Sequence, residues 1–540
     1  MRTICALFLA ALAIATFMIF PAAATTYSVG ELPLDVKGYV TQGGAIGLTG
    51  DHYDTEKGLQ SAIFNLFTEA ELRYKSNLRF YTSLMLTGDW IYDIKHDQAE
   101  WNDKQFAKSR DRLYMDTEYW QVLKEAHVTW TPEHFLFRFG KQAVSWGEMD
   151  LFRINDQITP LYQRRGSSDV ELDALRMPIW MLRAEYYPTI EAGWLKDLSA
   201  QFIFNPNITF IRNQTPVPGN DVAGIWAPAM NGPDYIDATP VGIPGLTWIP
   251  TAALPVLKGM LPPPVYAAIA ALPRHNSVVG SWELSNTEVR SFDSGGFEYG
   301  LRLKGTIGEG ILALMGYYGL DKDIALRVTG LSPVTFTKEG TPIAHVQFEA
   351  KYPLFRFVGA SYSNDIPALA FSALGGVAPL LRLEAMYAYQ NTFTGEISQQ
   401  FRTYDEFRYG IGVDWKVKVP ILNPLAYFSI MPQLYARRIL DYPSDERLQY
   451  SGALIKENNY QASLTLSTSY LHNKLNPSFT WIHDMTSRAD YYRYQVVYDY
   501  NDAWHFTLGA MQFYGAKAGE GLEVFRNKDQ CYFKTTYKFN

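Results

Sequence analysis

Apolar and polar side chains alternate in many segments of the chain. The segment LLRLEAMYAYQN, residues 380–391, places Leu383, Tyr387 and Tyr389 on one face and Arg382 and Glu384 on the other. A period of two with one apolar face indicates a β-strand that is buried on one side. The same pattern recurs in FEYGLRLKG, NYQASLTLSTSYL, EFRYGIGVDWKV, AHVQFEAKY and YRYQVVYDY. The chain is therefore predicted to be all-β.

The length and spacing of these segments predict a particular kind of sheet. A tilted strand needs about ten residues to cross a membrane, roughly twice the length of an average soluble strand. Short connections are interleaved with much longer ones, and they lie at 76–77, 131–134, 308–310, 352–354 and 501–503. This arrangement predicts a transmembrane antiparallel up-and-down β-barrel of about 18 strands, within a range of roughly 16 to 20, with long extracellular and lumenal loops.

The two ends of the chain fit export to the bacterial outer membrane. Residues 1–24 contain Arg2, an apolar stretch, and small residues at Ala22 and Ala24, which together predict a cleaved signal peptide. The last segment, CYFKTTYKFN, alternates and places Phe539 next to the end, as in the closing strand of outer-membrane barrels. We therefore expect residues 25–540 to form a single barrel domain.

Composition narrows the classes of function. Aromatic residues make up 15% of the chain, with 36 tyrosines, and charged residues only 19%, which suits aromatic girdles at two membrane interfaces. A net charge of −7 without a dense basic run argues against a nucleic-acid partner. Once Cys5 is removed with the signal peptide, Cys531 is the single thiol, which excludes an internal disulfide and a cysteine-rich metal site.

Residues 205–281 interrupt the alternating pattern. This insertion is rich in proline and glycine and contains IPTAALPVLKGMLPPPVYAAIAALP. Because proline lacks a backbone donor and blocks strand pairing, the insertion is not expected to form barrel wall. Two interpretations stay open: a large external loop with one or two short helices, or a segment folded into or over the lumen as a plug or lid.

The stretch RFGKQAVSWGEMDLFRINDQ, residues 138–157, begins as a strand and then stops alternating. A phosphate-binding loop is excluded, because Gln142 rather than Ser or Thr follows the Gly-Lys pair. Glu148, Asp150 and Asp156 are close enough in sequence to suggest paired carboxylates, but a solvated loop that lines an aqueous lumen is the simpler interpretation. Since no H-E-x-x-H or G-x-S-x-G pattern is present either, we predict a protein that is not an enzyme and uses no cofactor.

We instead predict that residues 148–165 fold inward as a charged constriction or gating loop. Inward-facing charges on the strands are expected to surround this loop. The predicted lumen and constriction residues are Arg138, Gln142, Trp146, Glu148, Asp150, Arg153, Asp156, Arg164, Arg165, Arg302, Arg382, Glu384 and Arg408.

The same region resembles the proteobacterial outer-membrane family called domain of unknown function 1302. The resemblance rests on Gly140, Gln142, Trp146, Gly147, Glu148, Asn155, Gly166, Glu171 and Pro178. This chain has Asn155-Asp156 where the family commonly has Asn-Pro. Family members are described as β-barrels, often encoded near transporters of the resistance-nodulation-division superfamily. The resemblance implies movement of a compound or lipid across the outer membrane and brings no reaction or cofactor with it.

Two functional expectations follow. The first is a porin-like channel that gives solutes a gated aqueous route across the outer membrane, because the predicted inner face carries both signs of charge. The alternative is a transporter of hydrophobic or lipid-like molecules that acts with a periplasmic or inner-membrane partner, with the 205–281 insertion as its apolar entry site. Expected partners are outer-membrane lipid, the barrel assembly machinery and a transport system of the resistance-nodulation-division type.

Overall fold

The computed structural model describes residues 25–29, 32–48, 57–97, 113–165, 175–189, 193–213, 235–242, 248–250, 254–275, 278–288, 294–336, 342–451, 453–516, 520–526 and 528–539. The predicted signal peptide, parts of the 205–281 insertion, and Gly166 and Glu171 of the family resemblance lie outside these residues.

Eighteen antiparallel strands close into one barrel, as predicted. The first nine are β1 (Leu32–Gly47), β2 (Ile63–Lys75), β3 (Leu78–Asp89), β4 (Leu123–Trp130), β5 (Phe135–Gln142), β6 (Ile179–Tyr186), β7 (Leu195–Asn205), β8 (Glu298–Ile307) and β9 (Gly310–Leu320). The others are β10 (Leu354–Asp365), β11 (Leu380–Gly395), β12 (Phe401–Val417), β13 (Phe428–Ile439), β14 (Asn458–Ser467), β15 (Leu475–Asp484), β16 (Ala489–Asp499), β17 (Trp504–Gly515) and β18 (Gln530–Phe539). Pairing of β1 with β18, from Gly38 opposite Phe539 to Gly47 opposite Gln530, closes the sheet.

The connections at one end of the barrel are mostly short and those at the other end are mostly long. Residues 76–77, 308–309 and 500–503 connect strands at the turn end, whereas 143–178, 206–297 and 321–353 connect strands at the loop end. In outer-membrane barrels short turns are periplasmic and long loops extracellular. The segment 367–379 lies in a turn-end connection and contains two 3₁₀ turns, Pro367–Leu369 and Ser372–Leu374.

One predicted turn was wrong. Residues 352–354 do not join two barrel strands, because the preceding strand, Pro342–Lys351, belongs to a small sheet at the loop end. That strand pairs with Ala325–Phe336 in antiparallel and with Val278–Glu288 in parallel orientation. The alternating segment AHVQFEAKY is therefore part of an extracellular extension of the β9–β10 hairpin.

The remaining elements are short. They are the strands Thr25–Val29, Gly58–Ser61, Tyr235–Asp237, Trp248–Pro250, Arg274–His275, Leu448–Tyr450 and Ala453–Ile455, the helices α1 (Ile91–Ile94), α2 (Tyr119–Val122), α3 (Leu254–Met260) and α4 (Pro263–Ala270), and the 3₁₀ turns Thr239–Val241, Ser294–Gly296 and Gly521–Phe525. Within the 205–281 insertion, α3 and α4 share a small core with Ile236 and Ile249, and its described strands form a separate sheet. No helix among the described residues is long and apolar enough to span a membrane.

The two faces of the barrel strands differ as the alternation predicts. Outward side chains such as Leu301, Val358 and Leu508 are 50%, 62% and 65% exposed, whereas the inward Glu298 and Glu384 are buried. Such an apolar outer band is the lipid-facing surface of a membrane barrel. Cys531, on the outward face of β18, is a free and exposed thiol.

Aromatic rings cluster at the turn end of the outer surface. Phe135 at the start of β5 stacks on Tyr186 at the end of β6, with ring centroids 4.8 Å apart. Trp504 at the start of β17 lies 4.8 Å from the ring of Tyr537 on β18. Amphipathic rings at this level form the aromatic girdle of a barrel at one membrane interface.

Candidate functional site in the barrel lumen

The connection between β5 and β6 folds into the barrel. We call residues 143–178 the lumenal loop, of which 143–165 and 175–178 are described. Its side chains Val144, Trp146, Ile154, Ile158 and Tyr162 are buried and form one hydrophobic cluster. The wall contributes the inward residues Met181, Ile203, Met315, Phe357 and Met386 to that cluster. The loop therefore packs against the inner wall from β6 to β11.

Three inward glycines make room for this packing. A Cβ atom on Gly300 would lie 2.6 Å from the ring of Trp146, and one on Gly410 would lie 2.6 Å from Ile154 Cδ1. A Cβ atom on Gly359 would overlap Asn155 Oδ1. Because any larger side chain would displace the loop, these glycines form its seat on the wall.

Glu384 and Arg382 on β11 hold the apex of the lumenal loop. The Glu384 carboxylate accepts hydrogen bonds from the backbone N–H groups of Glu148, Met149 (2.8 Å) and Asn155 (3.1 Å). Arg382 donates to the carbonyl oxygen of Glu148 and to Asp150 Oδ2 (2.7 Å). Hydrogen bonds that involve an ionised group are stronger than neutral ones, so this pair fixes the loop in one position.

Other wall residues contact the loop on both sides of this pair. Gln433 donates from Nε2 to Asp150 Oδ2 at 3.1 Å, and Arg302 Nη2 lies 3.8 Å from Glu148 Oε1. Trp146 Nε1 donates to Gln201 Oε1 at 2.6 Å. The loop is thus attached to β7, β8, β11 and β13.

The base of the loop is attached to the preceding loop-end connection. Arg165 donates to Asp116 Oδ1 at 2.9 Å and to the carbonyl oxygen of Leu113 at 2.6 Å. The Tyr162 hydroxyl donates to the same Asp116 atom at 3.0 Å. Asp116 is buried and so compensates the charge of Arg165 inside the protein.

Beside the loop, a buried carboxylate joins two arginines. Glu406 accepts from Arg408 Nη2 (2.5 Å) and from Arg437 Nε (2.6 Å). The ring of Tyr450 lies over Arg437, whose guanidinium carbon is 4.2 Å from the ring centroid. These residues form a compact cluster on β12, β13 and the loop that follows β13.

A hydrogen-bonded chain connects this cluster to the lumenal loop. The Tyr450 hydroxyl lies 3.1 Å from Asp321 Oδ2 and 3.2 Å from Asp323 Oδ2. Asn213 donates to Asp323 at 2.6 Å and accepts from the N–H of Leu161 at 2.7 Å. Burial, together with the Asp323 carboxylate, raises the pKa of Asp321 well above its usual range.

The structure brings some predicted site residues together and separates others. Trp146, Glu148, Asp150, Arg302, Arg382 and Glu384 meet at the loop apex. Arg153 and Asp156 contact each other at 3.7 Å, Arg164 lies over the Tyr162 ring, and Arg138 donates to Thr129 at 3.0 Å. Gln142, Arg165 and Arg408 are buried and bonded inside the protein, so these three support the site rather than line free space.

The solvated-loop interpretation holds for only part of the loop. The side chain of Asp150 is 57% exposed and that of Glu148 28%, whereas that of Asp156 is only 17% exposed. Sequence reasoning also missed Gln201, Gln433 and Asp116, whose side chains gave no local signal.

The inner wall opposite the loop is polar and stays accessible. Thr465 on β14 and Thr480 on β15 face each other across the strands, with 3.5 Å between their hydroxyl oxygens. They are half-buried, as are the inward Arg493 and Gln495 on β16. By contrast, Met386 and Ala388 on β11 are fully covered. Among the described residues no group of His, Cys, Asp or Glu side chains is arranged to hold a metal ion.

A closed antiparallel barrel with an apolar outer band, a polar inner wall and a loop folded into its lumen is an outer-membrane type of β-barrel. The chain belongs to the family described as Protein of unknown function (DUF1302), which matches residues 7–539. The resemblance inferred from the β5–β6 region is thereby confirmed.

Several solved barrels are similar to this chain in arrangement. Pseudomonas aeruginosa OccK1 (OpdK) is 6% identical, with 94% of this chain and 98% of that chain covered and a TM-score of 0.45. Pseudomonas aeruginosa OccK9 (OpdG) is 7% identical, with 95% of this chain and 99% of that chain covered and a TM-score of 0.45. A BenF-like porin from Pseudomonas fluorescens Pf-5 is 6% identical, with 94% of this chain and 99% of that chain covered and a TM-score of 0.44. No curated protein matches the chain.

Proposed function

We propose that this protein is a non-enzymatic outer-membrane channel in which the lumenal loop gates an aqueous route. The observation that supports this most is the asymmetry of the lumen. The loop covers the inner wall from β6 to β11, while the inward Thr465, Thr480 and Gln495 of the opposite wall stay accessible and polar. Water and small polar solutes are compatible with such a wall, as in porins.

The proposal is tested by electrical recording. Purified protein inserted in a planar lipid bilayer should give discrete conductance steps that interconvert between a lower and a higher level. The lower level corresponds to the loop on its seat and the higher level to its release. A bilayer that stays sealed at every applied voltage would contradict the open-route proposal.

The alternative route, for hydrophobic or lipid-like molecules, has one observation in its favour. At the junction of α3 and α4 in the 205–281 insertion, Met260 is 73% exposed, and the apolar Pro262, Pro263 and Pro264 that follow it are exposed as well. An exposed apolar surface of this kind marks an interaction site when it is continuous. A sealed bilayer combined with lipid that copurifies with the protein would favour this alternative.

Ion selectivity should depend on the exposed carboxylates of the loop apex. We expect Glu148→Gln combined with Asp150→Asn to shift the reversal potential measured in a salt gradient toward anion selectivity. The two carboxylates lie beside the proposed route and attract cations, whereas the amides that replace them carry no charge. Asp441→Asn is the matched control, since Asp441 is exposed at the same end of the barrel and not part of the lumenal loop. An unchanged reversal potential in the double variant would assign the carboxylates a purely structural role.

We also propose the outer membrane as the location, lipid and the assembly machinery as its contacts there, and a transport system of the resistance-nodulation-division type as a partner. The lipid-facing band supports the location. The partner follows only from the family context, and copurification from cross-linked cells would test it.

A further inference from the structure

A second feature of the loop end is a cavity beside the lumenal loop. It has a volume of about 340 Å³ and lies between residues 151–153 of that loop, β13, and the connections that follow β13, β15 and β17. Arg447 and Lys456 at its rim are exposed to solvent. The cavity is therefore open to the extracellular side and in contact with the proposed gate.

Three lining residues, Arg153, Arg437 and Ser487, each have a buried side-chain atom without a hydrogen-bond partner. Arg437 has a side chain only 9% exposed and donates from Nε to Glu406 at 2.6 Å, but its Nη2 is buried without a hydrogen bond. Ser487 is buried as well, and its hydroxyl also has no partner. Leaving a buried donor unsatisfied is costly, and more so for a charged group. Arg437 and Ser487 both line the cavity, so the cavity is the place where an acceptor would approach them.

The charge of the lining suits an anion. Arg153 from the lumenal loop and Lys456 from the loop after β13 also line the cavity. Two acids line the cavity as well. Asp484 accepts hydrogen bonds from the backbone N–H groups of Thr486 (2.9 Å) and Ser487 (3.0 Å). The carboxylate of Glu520 lies 3.2 Å from Arg447 Nη1. Both carboxylates are thus engaged, whereas Nη2 of Arg437 is a charged donor without an acceptor, and guanidinium donors suit an oxyanion.

One side of the lining is apolar, and Asn459, Gln461 and Thr486 are further polar residues of the wall. Phe152 of the lumenal loop stacks on Tyr435 with ring centroids 5.5 Å apart, and Leu151, Leu454 and Ile455 complete this side. Pockets with mostly apolar walls and a few convergent polar groups bind small molecules by burying an apolar body and orienting a polar head.

We propose that this cavity binds an amphiphilic organic anion, a carboxylate with a compact apolar body, as the solute that the channel admits. The carboxylate contacts Arg437 and Ser487, and the apolar body contacts Phe152, Leu454 and Ile455. Because residues 151–153 belong to the lumenal loop, occupancy of the cavity acts on the gate. The inference rests on the proposed channel for its physiological meaning, but binding itself does not require conduction.

Binding is measured by calorimetry on the full chain in detergent with three probes. Cyclohexanecarboxylate has the charge and the apolar body, acetate has only the charge, and cyclohexylmethylammonium has the body with the opposite charge. We expect the first to bind at least about tenfold more tightly than acetate, since burial of the ring adds several CH₂ groups, and the ammonium not to bind. Equal binding of the ammonium and the carboxylate would overturn the proposal.

Substitutions in the cavity and one outside it show whether a loss of binding comes from the site itself or from a change in the fold. Arg437→Gln should weaken cyclohexanecarboxylate binding at least about tenfold, the loss expected for a hydrogen bond to a charged group. Arg437→Gln also removes a partner of the buried Glu406, so Ser487→Ala and Lys456→Gln provide independent tests. Each should lower the affinity for cyclohexanecarboxylate several-fold. Lys474→Gln, at an exposed residue of the turn end, should bind like the unaltered protein. Unchanged binding in all three cavity variants would overturn the proposal.

Conductance measurements test the channel proposal separately from the anion site. Discrete conductance steps without cyclohexanecarboxylate binding would overturn the anion site and leave the channel standing. Specific binding in a protein that never conducts would support the site and contradict the channel. Addition of lipid A to the calorimeter cell covers a lipid anion, and displacement of cyclohexanecarboxylate by lipid A would overturn the assignment to a free carboxylate.

Discussion

Replacing Arg382 with Met and Glu384 with Leu should raise the single-channel conductance several-fold. The double change removes the acceptor of three loop N–H groups, and a hydrogen bond to a charged group contributes roughly 1.5–3 kcal/mol. Loss of several such bonds shifts the balance between the seated and the released loop strongly toward release. The double change also removes the cation that lies 2.5 Å from Asp414 of the wall, but the side chain of Asp414 is 32% exposed and its charge is compensated by solvent.

A matched control is the pair Arg327 and Glu349 in the extracellular extension, whose side chains are 2.5 Å apart. Changed to Met and Leu, this pair should leave the conductance as it is, because it lies in the small sheet at the loop end and makes none of the contacts with the lumenal loop described above. If the Arg382 and Glu384 variant conducts like the unaltered barrel, the loop is not what limits the current.

Replacing Trp146 with Ala should loosen the lumenal loop by about 3–5 kcal/mol, the usual cost of truncating a buried tryptophan. Trp146 is fully buried and its indole N–H is bonded to Gln201. Hydrogen–deuterium exchange of the loop amides in residues 143–165 should accelerate on the order of a hundred- to a thousandfold, since local opening sets their exchange rate.

Trp194 offers the comparison, because it is 68% exposed at the turn end. Trp194→Ala should leave exchange in the lumenal loop unchanged. Equal exchange of the loop amides in the Trp146 and Trp194 variants would show that burial of the Trp146 ring does not hold the loop against the wall.

The barrel strands were predictable because their pattern is local. Each strand must present apolar side chains to lipid and polar ones to the lumen, so that Leu383 and Glu384 take opposite faces whatever the distant sequence is. The same local pattern misled the interpretation at 352–354. An extended hairpin outside the membrane also buries one face, and alternation alone does not say to which sheet a strand belongs.

The environment of the site residues was not predictable in this way. Alternation places Glu384 on the inner face, but whether it meets solvent depends on residues 148–155, which lie far along the chain and bond to it. The loop N–H of Glu148 and its acceptor Glu384 are 236 residues apart. No spacing rule connects such partners, and the glycines that admit the loop, such as Gly359, look like ordinary strand glycines in the sequence.

That separation also sets the order in which the barrel assembles. The lumenal loop is synthesised between β5 and β6, but Glu384 of β11, which holds its apex, lies 229 to 236 residues later in the chain. Contacts of such long range form late in folding. Until β11 joins the sheet, the backbone N–H groups of residues 148, 149 and 155 must be hydrated, so a partly built barrel carries the lumenal loop without this attachment to the wall. Closure of the wall and attachment of the loop are then successive steps of a single assembly pathway.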